Sequence, residues 1–243
     1  MSFKRIDGRA VDELRPLSIT LGYQVFPEGS CLIELGQTRV LCAVTVEDRV
    51  PPFLKGSGGG WVTAEYAMLP RSTKERTPRM GAGGLAAGRS QEIQRLIGRS
   101  LRAATNLDVL GERTFTVDCD VIQADGGTRT AAITGGWVAL YVAMHKLVKD
   151  GVFKSMPLKT AVAAVSVGIL GPDELLDLCY QEDSQAGVDF NVVMNDQGQY
   201  IEVQGTAEGR PFSRDTLDSL LALADKGIKQ LFKAQKEALK GLK

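Results

Sequence analysis

The sequence predicts a mixed α/β domain with helices packed against sheets, and three observations carry that prediction. Apolar blocks with strand character fill residues 18–46, helical spacing takes over at 89–104, and the period changes again several times, giving the order strands, helix, strand, helix, strands, helix. Hydrophobic residues make up 44% of the 243 positions and charged residues 24%, the balance of a chain that buries a large core. No linker-like stretch divides the chain, so residues 1–243 read as one domain.

Three strands with tight turns are expected from Ser18 to Val46, because β-branched and apolar runs break at Pro27-Glu28-Gly29-Ser30 and at Gly36-Gln37. A Gly-rich connection ends at Gly60, and Trp61 to Leu69 resumes as strand. Residues 70–88 carry Arg, Gly, Ser and Thr without periodicity and read as a long loop, the kind of segment that is functional or mobile. Arg89 to Ala104 reads as helix, since Ile93, Leu96, Ile97, Leu101 and Ala104 recur at its period while Arg95, Arg99 and Arg102 share another face. Thr114 to Ile122 alternates, with Asp118 and Asp120 opposite Val117, Cys119 and Val121. A helix over about Thr128 to Val148 follows Asp125-Gly126-Gly127. Strands are expected at Leu158 to Ile169, Leu175 to Tyr180, Gly187 to Met194 and Ile201 to Gly205, then a long amphipathic helix from Ser213 to about Leu239.

Lys plus Arg equals Asp plus Glu at 29 each, so no global field attracts nucleic acid or an anionic membrane. The charge is nevertheless segregated. Residues 71–102 hold eight basic residues against Glu75 and Glu92, whereas residues 172–208 hold nine acidic residues and no Lys or Arg. Seven of the eight cations are Arg, whose planar fork grips phosphate, so the first region suits a polyanion and the second a divalent cation. Two solvated faces that pair across a subunit contact would show the same segregation. Within the basic region Arg89 opens a helix, where free N–H groups and the dipole attract anions. Asp125-Gly126-Gly127-Thr128-Arg129-Thr130 repeats that construction, although a turn with a Thr N-cap explains it equally well. Asp183 and Asp189 flank a Gly-containing turn; they suit Mg²⁺ ligation or acid–base work, or simply a turn and a solvent-facing strand position. Asp118 and Asp120 are expected to support the site from one shell out.

Cys31, Cys42, Cys119 and Cys179 form no CxxC and all fall in strand-like segments, as reduced core thiols do. The single histidine, His145, sits in a helix, which disfavours His-dependent hydrolysis or metal binding. No GxGxxG follows the first strand and no Walker loop is present. Met1 to Ala10 is polar, and no run of about 18 consecutive apolar residues occurs, so a cytoplasmic protein without a membrane partner is expected. Arg, backbone N–H groups, carboxylates and Mg²⁺ together describe phosphoryl transfer.

The segments Gly36-Gln37-Thr38-Arg39-Val40-Leu41-Cys42, Gly60-Trp61-Val62-Thr63-Ala64-Glu65-Tyr66, Met68-Leu69-Pro70-Arg71-Ser72-Thr73, Glu92-Ile93-Gln94-Arg95-Leu96-Ile97-Gly98-Arg99, residues 118–130 and residues 201–208 resemble the ribonuclease PH family, in order, over about Arg9 to Leu231. That resemblance implies a fold like ribosomal protein S5 domain 2 and a homohexameric ring, a trimer of dimers. It also implies a phosphate-dependent 3′-to-5′ exoribonuclease that trims tRNA precursors and other RNA 3′ ends, and that in reverse adds nucleotides from diphosphates. Carried over by motif, the ligands of the inorganic phosphate co-substrate fall on Arg89, Gly127, Thr128 and Arg129. The catalytic and Mg²⁺-binding carboxylates fall on Asp183 and Asp189. Arg71, Arg76, Arg79, Arg95 and Arg99 are the expected RNA contacts, with individual matches missing from Lys74 to Ala87. A catalytically silent RNA-binding ring subunit and a hydrolytic Mg²⁺ nuclease are the alternatives.

Overall fold

A computed structural model describes residues 5–79, 87–209 and 211–242. Strands β1 (Leu17–Leu21), β2 (Gly29–Leu35), β3 (Thr38–Glu47), β4 (Trp61–Met68) and β5 (Thr114–Gln123) form one sheet, in the spatial order β1-β2-β3-β5-β4. All its neighbours are antiparallel except β4 and β5, which run parallel. Helix α1 (Ala87–Ala104) crosses between β4 and β5 and packs its Ile93, Leu96, Ile97 and Leu101 face on this sheet. Residues 80–86 of the expected loop lie outside the described residues.

After helix α2 (Thr128–Lys149) come β6 (Val162–Leu170), β7 (Asp173–Leu176), the one-turn helix α3 (Tyr180–Asp183), β8 (Val188–Asn195) and β9 (Tyr200–Ala207). These strands form a second sheet ordered β7-β6-β8-β9. Helix α4 (Arg214–Leu239) closes the chain; the Ser213 side chain caps it by accepting from the Thr216 N–H.

Helix α2 lies between the sheets and contacts β2 and β3 on one side and β6 on the other. It is long and apolar enough by composition to cross a membrane, yet 67% of its most apolar window is buried inside the protein. Being apolar all round is what a helix with sheets on two sides requires. Gly135 allows the close approach: a Cβ there would stand 2.7 Å from Ile33 Cγ2 and 3.0 Å from Cys42 Sγ. Cys31, Cys42 and Cys119 are in register across β2, β3 and β5 and buried beneath α2, as core thiols.

Three expectations are corrected. The strand from Leu175 to Tyr180 ends at Leu176, because Asp177 adopts a left-handed backbone with φ 54° and sends the chain toward α3. Cys179 consequently caps α3 and is half-buried instead of lying in a strand. The strand expected from Leu158 starts at Val162, and Leu158 makes only an isolated bridge to Thr105.

Candidate active site

The glycine turn after β5 forms because Gly126 and Gly127 adopt φ of 73° and 65°, conformations that side chains resist. A Cβ on Gly126 would also stand 2.5 Å from the Leu178 carbonyl oxygen, so the turn is pressed against the residues that lead into α3. Gly127 itself is the N-cap of α2, and no side chain among the described residues caps it. Thr128 is therefore the first helical residue and not a cap, and its hydroxyl lies 2.8 Å from the Tyr66 hydroxyl. The first N–H groups of α2 have no acceptor within their own helix, and with the dipole behind them they suit an anion.

Arg129, in the first turn of α2, has its guanidinium 3.3 Å from a Glu92 carboxylate oxygen and donates to Gln204 Oε1 at 3.2 Å. Arg89 occupies the third position of α1 and is exposed. Both guanidiniums act on Tyr66, Asp183 and Asp189, so residues from α1, α2, β4, α3 and β8 converge on one place. Burial pushes the Tyr66 hydroxyl up in pKa, against its Thr128 hydrogen bond and the two guanidiniums.

The two carboxylates differ. Burial raises Asp183, opposed by Arg89, Arg129 and Arg15. Burial, reinforced by the negative charge of Asp183, pushes Asp189 up to about 6, with Arg129 and Arg89 opposing. Asp189 Oδ1 is buried and has no hydrogen-bond partner among the described residues, an orphaned acceptor beside a second carboxylate. That arrangement fits a divalent cation, which would satisfy the oxygen and relieve the like-charge pair. The described residues hold no cluster of three ligating side chains, so Mg²⁺ here would draw its remaining ligands from water and substrate phosphate.

Beneath the site lies a buried network in which sequence analysis placed no residue. Asp177 accepts two guanidinium bonds from Arg15, at 2.9 and 2.6 Å, and Glu182 accepts two from Arg5, at 2.8 and 2.7 Å. Arg9 lies 3.5 Å from Asp177 and 3.8 Å from Glu182. Burial works against the Arg15 charge, and Asp177 together with nearby Asp125 and Cys179 more than offsets it. The signal in the sequence is the acidic run without a cation, which needs partners elsewhere; the arginines of residues 5–15 supply them. The segregated charge is thus neutralised partly within the chain, by this network and by Arg99, which donates to Glu202 of β9 at 2.8 to 3.0 Å.

Of the expected RNA contacts, Arg71, Arg76, Arg79 and Arg95 are exposed, while Arg99 carries that acidic partner. Arg102 leaves the basic face: it stacks on Trp61 at 4.3 Å and donates to the Val62 carbonyl at 2.8 Å, fastening α1 to β4. Asp118 and Asp120 line a cleft with Glu65, Tyr66 and Gln94, where burial raises both carboxyls.

Two family models match in succession, the 3′ exoribonuclease family domain 1 over residues 13–145 and domain 2 over residues 160–227. The chain belongs to the ribonuclease PH family of 3′ exoribonucleases. It is 61% identical over 233 residues to the ribonuclease PH of Dehalococcoides mccartyi strain CBDB1, covering 96% of this chain and 97% of that protein. It is 59% identical over 235 residues to the ribonuclease PH of Moorella thermoacetica, covering 97% and 94%. The ribonuclease PH fold recurs at 21% identity in rice (Oryza sativa) Rrp46, with a TM-score of 0.78 over 97% of this chain and all of that one. It recurs also in the Archaeoglobus fulgidus exosome with RNA bound to the active site, at 21% identity and a TM-score of 0.80 over 95% and 92%.

Proposed function

We propose that this phosphate-dependent 3′ exoribonuclease binds inorganic phosphate between Arg89, Arg129 and the backbone N–H groups around Gly127 and Thr128, and trims the 3′ ends of tRNA precursors. The observation that carries this reading is the convergence of two guanidiniums and an uncapped helix N-terminus on the carboxylates Asp183 and Asp189. A phosphate oxygen attacks the last phosphodiester phosphorus, and the bond from that phosphorus to the preceding nucleotide's 3′ oxygen breaks. A nucleoside diphosphate leaves, and the shortened RNA keeps a 3′ hydroxyl once its oxygen takes up a proton. Orientation by the two arginines makes the dilute, weakly nucleophilic anion an aligned reactant.

Asp189, poised near neutrality, is the carboxyl suited to hold that proton. Asp183 and Asp189 would also hold Mg²⁺, which when bound neutralises charge on the transferring phosphoryl group. The same residues serve the reverse addition of nucleotides from diphosphates. Arg71, Arg76, Arg79 and Arg95, all exposed, hold the RNA backbone in this reading, with Arg99 joining when Glu202 releases it.

The copies assemble, in this reading, as a homohexamer, a trimer of dimers, in the cytoplasm. The β1–β2 hairpin supports an assembly, since it leaves Val25 90% and Phe26 97% exposed beside Tyr23. The test of the site is substitution: Arg129→Ala raises the phosphate half-saturation concentration in a trimming assay. An unchanged value removes Arg129 from the phosphate site.

A further inference from the structure

The glycine turn is built from two peptide planes, whose carbonyls are held from behind by Arg15 and Thr38. Arg15 is buried just before β1, with a side-chain exposure of 3%. Its backbone N–H and Nε both donate to Asp177 Oδ2, at 2.8 and 2.9 Å, and Nη2 donates to Oδ1 at 2.6 Å. The remaining hydrogens turn to the loop: Nη1 donates to the Asp125 carbonyl and Nη2 reaches the Gly126 carbonyl at 3.5 Å. Thr38, at the start of β3, holds the same loop from another side. Its hydroxyl donates to the Gly126 carbonyl at 2.7 Å and accepts from the Asp125 N–H at 3.0 Å.

A trans peptide is planar, so its C=O and N–H point in opposite directions. Anchoring the Gly126 carbonyl toward Arg15 and Thr38 therefore fixes the Gly127 N–H away from them, and anchoring the Asp125 carbonyl does the same for Gly126. Glycines at these positions would otherwise leave both planes free to turn. A Cβ on Gly127 would in addition stand 3.1 Å from Arg15 Nη2, a tight contact on top of the positive φ.

The carboxylate end of the clamp reaches the other half of the site. The Asp177 carbonyl accepts from Arg5 Nη2 at 2.9 Å, and Arg5 in turn holds Glu182, the residue before Asp183. Asp125 Oδ1 accepts from the Tyr180 N–H, which opens α3. We propose that Arg15, Asp177 and Thr38 are positioning residues that set phosphate affinity by fixing the direction of the Gly126 and Gly127 N–H groups. This rests on the assignment of the phosphate site to Arg89, Arg129 and this loop.

The test measures the phosphate half-saturation concentration and kcat separately, together with inorganic phosphate binding by calorimetry, for four variants of the full-length protein. Thr38→Val keeps shape and removes both hydroxyl bonds; a rise in phosphate half-saturation of about 5-fold is expected, with kcat at saturating phosphate little changed. Thr38→Ser restores the wild-type value. The double variant Arg15→Met with Asp177→Asn removes the guanidinium and its counter-charge together, while Asn tolerates the left-handed backbone at 177 and still accepts from the backbone N–H at position 15, and it is expected to weaken phosphate by about 30-fold. Should the double variant fail to fold, the Thr38 pair decides alone. Arg129→Ala separates the two claims. If it weakens phosphate while Thr38→Val and the double variant do not, the positioning role is wrong. If Arg129→Ala itself has no effect on phosphate, the assignment of the site is wrong.

Discussion

Asp189 is a carboxyl whose charge state the fold controls. Its pKa of about 6 against an ordinary 3.8 means that the native state holds more protons than the unfolded chain between roughly pH 4 and 6. Stability therefore falls as pH rises through that window, and above it the ionised group is a standing cost. Asp189→Asn should stabilise the protein by on the order of 2 kcal/mol at pH 8 in EDTA and by nothing below pH 4, readable as a melting temperature. The same substitution should reduce trimming on the order of 100- to 1,000-fold with an unchanged circular dichroism spectrum. A variant that is neither more stable at pH 8 nor slower would remove Asp189 from both roles. Arg129→Ala should lose turnover to a similar extent, because it orients the anion and acts on both carboxylates.

At the scale of elements, the turn after β5 and the start of α4 make a contrast. Gly126→Ala places a methyl group 2.5 Å from the Leu178 carbonyl oxygen and 2.8 Å from the Cys179 carbonyl carbon, backbone atoms with no rotamer to yield. It should cost about 1–3 kcal/mol and also raise the phosphate half-saturation concentration, since the turn must shift. Ser213→Ala removes the α4 cap and should cost about 1 kcal/mol in urea unfolding with no change in phosphate dependence. Most elements were legible because periodicity is local: α1, α2 and α4 fall within two residues of the expected bounds. What was not legible depends on contacts distant in sequence. The end of β7 is set by the buried Asp177, whose partner Arg15 lies 162 residues away. The Thr128 hydroxyl was open to two readings until Tyr66 was placed beside it. The phosphate ligands and carboxylates carried motif signals, whereas the arginines beneath them carried only an unpaired charge balance.

For the whole molecule, the zero net charge leaves RNA affinity to the local arginines, so binding should weaken steeply with salt. With single-stranded RNA each phosphate contact contributes roughly −0.7 to the log–log slope. Arg95→Ala should lower that slope by about one such step. Arg102→Ala should leave the slope unchanged and lower stability instead, because its guanidinium is committed to Trp61 and Val62. A flat salt dependence would remove residues 71–99 as the RNA track. In solution, Phe26→Ser should reduce the assembly's mass in light scattering if the exposed hairpin is covered by another copy; an unchanged mass would clear it of that role.

The most direct measurement incubates the protein with a 3′-extended tRNA precursor and Mg²⁺, with and without inorganic phosphate, and identifies the released nucleotides by mass. Nucleoside diphosphates are expected, only when phosphate is present, and in far lower yield from Arg129→Ala. Nucleoside monophosphates released without phosphate would make the protein a hydrolase, and RNA binding with no release at all would make it a silent subunit; either result contradicts the phosphate site described above.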